Sequence, residues 1–120
     1  MQKDKKDLAD RTKRFALAII RLFSMLPKTT EAQVLGKQVL RSGTSVGANY
    51  REAYRARSKA EFIAKSGDSL RELEETGYWL DLLTEANLLT QEKLTNVRQE
   101  CTELTAIFVT IVKRSKEKLF

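Results

Sequence analysis

Wound into a helix at about 100° per residue, residues 34–54 sort into four separate faces. Lys37, Arg41, Arg51 and Arg55 fall on one line, and Gln38, Ser42, Ser45, Asn49 and Glu52 lie beside it. Leu35, Val39, Val46, Tyr50 and Ala53 lie opposite the basic line, and Gly36, Gly43 and Gly47 fill the remaining side. An ordinary surface helix needs only an apolar stripe and a polar face. A helix with distinct cationic, uncharged-polar, apolar and glycine strips has neighbours on several sides. Glycine in a helix interior costs up to ~1 kcal/mol, so three on one line point to a compensating close contact. The run Gly43-Thr44-Ser45-Val46-Gly47 has the small-residue spacing that permits such an approach.

The rest of the chain fits the same architecture. One Pro and five Gly in 120 residues leave little to interrupt long helices. A first helix is expected over about 7–26, where Leu8, Phe15, Ile19, Leu22, Phe23 and Leu26 recur at helical spacing and Pro27 ends the run. Thr30-Glu31-Ala32-Gln33 reads as a capping box opening a second helix, 31–55, and Ser58-Lys59-Ala60-Glu61 as one opening a third, 59–85. Phe62, Ser66, Ser69, Leu70, Leu73, Gly77 and Leu80 share a face of the third helix, and Asn87 is a left-handed terminator for it. Thr90 then caps a fourth, 91–117, whose Leu94, Val97, Cys101, Leu104, Phe108 and Ile111 form an a/d seam. Four long helices with short joints predict one all-α domain over 1–120, an antiparallel up-down-up-down four-helix bundle.

The surplus of 22 Lys+Arg over 16 Asp+Glu gives +6 at pH 7, which favours polyanionic partners as well as solubility. The cations crowd the first half of the chain and the C-terminal tail. On the third helix Glu61, Asp68, Glu72 and Glu75 share a face. The basic strip of the second helix therefore either pairs with that acidic face or stays free for a ligand, and spacing does not choose between the two.

The stretch from Gln38 to Ala53, QVLRSGTSVGANYREA, resembles the signature of a bacterial four-helix-bundle family first noticed as reading frames within intervening sequences of 23S ribosomal RNA genes. A second segment, from Phe62 through Ser69-Leu70-Arg71-Glu72-Leu73-Glu74-Glu75-Thr76-Gly77-Tyr78-Trp79-Leu80, is similar too. Tyr50 stands where that family usually has an aliphatic residue, and Ala53 where glycine is common. The resemblance implies a left-handed four-helix bundle that assembles into a ring-like homopentamer of largely unassigned function. It also implies kinship with accessory proteins of diversity-generating retroelements, which bind a reverse transcriptase and RNA through a basic pentameric barrel.

The candidate nucleic-acid-binding residues are Lys37, Arg41, Arg51, Arg55, Arg57 and Lys59, with the tail Lys113, Arg114, Lys116 and Lys118 as a second set. Ser42, Ser45, Asn49 and Glu52 read as a structural polar strip that bonds a neighbouring helix or its own backbone, with Arg41 or Arg71 as partners for Glu52. Cys101, on the apolar seam, reads as a buried thiol, and Tyr78 and Trp79 as a cover for the bundle edge or an adjacent subunit. With no His and a single Cys, the usual general base and the zinc-ligand sets are missing, and no glycine loop joins a strand to a helix. The expectation is a non-enzymatic protein without cofactor or metal that contacts RNA or DNA. The alternative is a protein-binding scaffold, for instance for a reverse transcriptase. The charged start of the chain and the lack of an apolar run of ~20 residues lead to an expectation of a cytoplasmic protein with no membrane contact.

Overall fold

The computed structural model describes residues 2–117. They form four helices: α1 (Gln2–Ser24), α2 (Thr30–Tyr54), α3 (Lys59–Glu85) and α4 (Gln91–Glu117). No strand occurs among the described residues. Each helix packs on two neighbours, α1 on α2, α2 on α3, α3 on α4, and α4 back on α1. The result is an antiparallel bundle measuring 49 × 22 × 21 Å.

The joints follow local chemistry, with two shifts from the sequence reading. α1 begins at Gln2 rather than near Asp7, because nothing before Asp7 breaks a helix and Asp4 in the first turn complements the helix dipole. Ahead of Pro27, the last turn tightens into bonds from Met25 N to the Leu22 carbonyl and from Leu26 N to the Phe23 carbonyl, both 3.1 Å. The cap of α2 is Thr29, not Thr30. Its backbone is extended and its hydroxyl accepts from Ala32 N at 3.4 Å. Hydrogen bonding to the same hydroxyl, aided by its own backbone N–H, lowers the pKa of Glu31 in the first turn. Ser58 caps α3 as expected, accepting from Glu61 N at 3.0 Å. Asn87 adopts a left-handed φ of 58°. With it, Leu88 N reaches the Leu83 carbonyl and Asn87 N the Thr84 carbonyl, the paired bonds of a Schellman stop.

The core runs the length of the bundle. Phe15, Ile19 and Leu22 of α1, Val39, Val46 and Tyr50 of α2, Leu73, Leu80 and Leu83 of α3, and Leu94, Leu104 and Phe108 of α4 are all buried. Tyr50 meets Phe108 edge-on, with ring centroids 5.4 Å apart and planes at 87°.

α2 has neighbours on two flanks, as its strips require. Its glycines receive α1. A Cβ at Gly43 would stand 2.7 Å from Ile19 Cγ1, and one at Gly36 would meet Phe23 of α1 at 3.0 Å and overlap Leu26 in the turn that follows. Its other flank meets α3 through hydroxyls. Thr76 Oγ1 donates to Ser42 Oγ at 2.8 Å, Ser42 donates to the Gln38 carbonyl at 2.9 Å, and Ser69 Oγ donates to the Val46 carbonyl at 2.8 Å.

Candidate nucleic-acid interface

Antiparallel packing sorts the charges by height along the bundle. One end gathers the start of α1, the α2–α3 joint and the end of α4. The other gathers the α1–α2 and α3–α4 joints.

Four of the six candidate cations meet at the first end. Arg51 and Arg55 lie one turn apart on the outer face of α2, Arg57 sits on the joint and Lys59 opens α3. All four are exposed. Lys113, Arg114 and Lys116 of α4 join them, while Arg14 stands midway along α1, above this end; all four are also exposed. None of these eight makes an ion pair among the described residues. Lys118, the last member of the candidate tail, lies outside the described residues. Asp4, Asp7, Asp10 and Glu61 share this end, so its surface is mixed but dominated by cations.

The other two candidates stand apart. Lys37 is exposed on the same side of α2, but about 21 Å along the axis from Arg51. Arg41 is turned sideways onto α3, where its guanidinium bridges Glu72, at 3.4 Å, and Glu75. Glu75 also accepts from Trp79 Nε1 at 3.2 Å, which holds the indole against the bundle flank. Tyr78, 57% exposed, packs edge-on against Trp79 with centroids 5.1 Å apart. The basic strip is thus split: one arginine pairs with the acidic face of α3, and the rest remain free of it.

Several carboxylates away from the basic end are tied down. Arg98 binds Asp81 at 2.8 Å, and Arg11 binds Glu100 at 2.7 Å and Glu103 at 3.0 Å. Hydrogen bonding to Glu100 is the largest influence on Arg11 and raises its pKa further above its ordinary value. Glu74, Glu85 and Glu92 stay exposed there.

Of the polar strip, Ser42 is buried in the hydroxyl chain to Thr76. Ser45 donates to the carbonyl of Arg41 at 2.7 Å and Asn49 is half-buried. Glu52 meets Lys65 at 3.6 Å, not Arg41 or Arg71. Lys65 lies on the α3 turn that faces Glu52, whereas Arg71 bonds Asp68 on its own helix at 2.9 Å. Cys101 is buried against the Leu73 carbonyl at 3.4 Å, and burial pushes its thiol up to about 11. No group of three or more Cys, Asp or Glu side chains arranged to hold a metal occurs among the described residues. None of the described helices is long and apolar enough to cross a membrane.

Arg14 escaped the sequence reading. It lies in a run of mixed charge, and only the folded bundle makes it part of the lining of one groove with Arg57, Lys59 and Arg114.

These features define an all-α antiparallel bundle with a dense group of unpaired cations at one end and carboxylates largely paired elsewhere. The profile of the 23S rRNA-intervening sequence proteins matches residues 4–110, and the chain belongs to that family. It is also similar to a crystal structure at 1.70 Å resolution of a protein of unknown function from the S23 ribosomal protein family of Bacteroides thetaiotaomicron VPI-5482. The two share 38% identity with a TM-score of 0.84, over 94% of this chain and 99% of that one. No functionally curated protein matches this chain significantly.

Proposed function

We propose that this protein binds the phosphate backbone of a nucleic acid through the basic end of its bundle, with little base specificity and without catalysing a reaction. The observation that carries this reading is the clustering of Arg51, Arg55, Arg57 and Lys59 with Arg114 and Lys116, exposed and without ion pairs among the described residues. Free guanidinium and ammonium groups on one surface are what a polyanion requires, and each phosphate they neutralise releases counterions. The ring-like homopentamer implied by the family resemblance would set five such ends side by side and raise the local potential. A cytoplasmic setting fits a reduced Cys101.

The test is a fluorescence anisotropy titration against single-stranded RNA and duplex DNA at 50 and 200 mM salt. Four phosphate contacts give a loss of affinity on the order of 100-fold across that range. The double variant Arg51→Glu/Arg55→Glu lowers affinity for both nucleic acids, whereas Arg41→Glu, at a residue already paired within the chain, lowers it much less. Salt-independent binding, or none at low salt, overturns the proposal. A native partner that survives nuclease treatment and ignores the double variant selects the scaffold reading instead. Light scattering on the purified chain tests the pentamer, which a monomer at micromolar concentration excludes.

A further inference from the structure

The basic end also holds an open groove of about 910 Å³, cut between the first turns of α1, the α2–α3 joint and the last turns of α4. It forms because α1 and α4 meet less closely than the other neighbouring pairs. Its floor is apolar: Leu8, Tyr50, Ala53, Phe62, Ile107 and Ile111. The α1 wall is of mixed charge, ending at Arg14, whereas the α4 wall carries Arg114, and Arg57 and Lys59 close one end. Lys5 Nζ stands 5.0 Å from the Phe62 ring centroid and keeps that ring at the edge of the floor. Asp4 and Asp7 lie on the α1 wall.

We infer that this groove receives an amphipathic helix of a protein partner, with an apolar stripe on the floor and acidic side chains against Arg114, Arg57 and Lys59. Shape and charge both favour that occupant. The groove follows α1 from Asp4 to Arg14, about 15 Å or three helical turns. Two helices forming parallel walls accept a third by interdigitating ridges and grooves. A small ligand would be left open to water along the same length, whereas small-ligand sites bury most of their occupant. Phosphodiester backbone offers nothing to cover the half-buried Phe62, Ile107 and Ile111. The inference shares Arg57, Lys59 and Arg114 with the proposed nucleic-acid surface but adds the apolar floor and does not need Arg51 or Arg55 on the outer face of α2.

The probe is a labelled synthetic peptide of about 14 residues, long enough for marginal helicity in water. It has Leu at i, i+3, i+4 and i+7 spacing and Glu on both flanks, and its control carries Lys in place of Glu. The full-length protein raises the anisotropy of the Glu peptide, and circular dichroism reports induced helix; the Lys peptide does not bind. Ser115→Trp, which fills the groove from a partly exposed position, and Arg57→Glu/Arg114→Glu each weaken binding at least about tenfold, that is about 1.4 kcal/mol. Arg51→Glu/Arg55→Glu leaves the peptide affinity unchanged while weakening RNA, so failure of one proposal is distinguishable from failure of the other. Equal binding of the Glu and Lys peptides overturns the inference, as does an unaffected Ser115→Trp. If Ser115→Trp dissolves an oligomer seen by sedimentation, the occupant is a second copy. If it abolishes RNA binding while neither peptide binds, the groove belongs to nucleic acid. Either result ends the inference.

Discussion

The two flanks of α2 hold the bundle together by opposite means. Toward α1 the contact is dry and close, with Gly36 and Gly43 against Phe23 and Ile19. Toward α3 it is polar, with Ser42, Ser69 and Thr76 buried yet hydrogen-bonded. The first flank depends on absent volume, and the second on satisfied donors. Volume errors in a packed interior are felt at every added methyl, whereas a hydrogen-bonded hydroxyl contributes only about 1 kcal/mol net. The glycine flank therefore fixes how near the helices come, and the hydroxyl flank fixes their register.

The largest test of this contrast is Gly43→Val. Its Cβ would lie 2.7 Å from Ile19 Cγ1 and 3.0 Å from Cγ2. Ile19 is buried and β-branched, so it has little room to yield. The expected loss is about 3 kcal/mol by urea denaturation, partly recovered in the double variant with Ile19→Ala. Gly67→Ala is the matching control. Nothing lies within 4 Å of its would-be Cβ, and the helix gains roughly 0.5–1 kcal/mol.

Next in size is an alkaline effect at Tyr50, between the two flanks. Burial is the main cause that pushes its phenol up to about 12, with nearby Tyr54 and Asp4 adding to it. The folded pKa exceeds the unfolded value of about 10. Below pH 10 both states keep the proton and stability is unaffected. Between pH 10 and 12 the unfolded chain releases it first, so stability falls as pH rises. The loss approaches roughly 2–3 kcal/mol by pH 12. Tyr50→Phe flattens the decline when thermal melts are compared across that window.

The smallest effects have opposite signs on neighbouring serines of α3. Ser69→Ala removes the bond to the Val46 carbonyl and destabilises by about 1 kcal/mol. Ser66 is equally buried, but its hydroxyl has no partner among the described residues. Ser66→Ala removes an unpaired dipole and stabilises by about 1 kcal/mol. Equal signs for the two in chemical denaturation would show that pairing is not what distinguishes them.

Much of this architecture is legible in the residue order because helix periodicity is strict. The glycine and apolar strips of α2 report their neighbours directly, and Ser58 and Asn87 carry their own signals. What periodicity does not carry is reach between helices. Arg41 shares a line with Arg51 and Arg55 but lies level with Glu72 and Glu75. Glu52 lies level with Lys65 and not with Arg71. Those levels depend on how two antiparallel helices slide past each other, which no single-helix pattern encodes. The choice between Thr29 and Thr30 as the cap of α2 is local but close to degenerate, since adjacent residues offer the same hydroxyl. The groove is less legible still, because its two walls, 4–14 and 107–115, come from opposite ends of the chain.

Under the proposed nucleic-acid binding, the segregation of charge along a molecule 49 Å long and 22 × 21 Å across has a consequence for how it would meet a strand. Such a body carries an electric moment along its length, and in the field of a polyanion it rotates before it touches. A protomer docking by its cationic tip stands upright, like a bristle. Its footprint is then set by its width, about six base-pair steps of duplex, and its remaining length projects outward, clear of the strand.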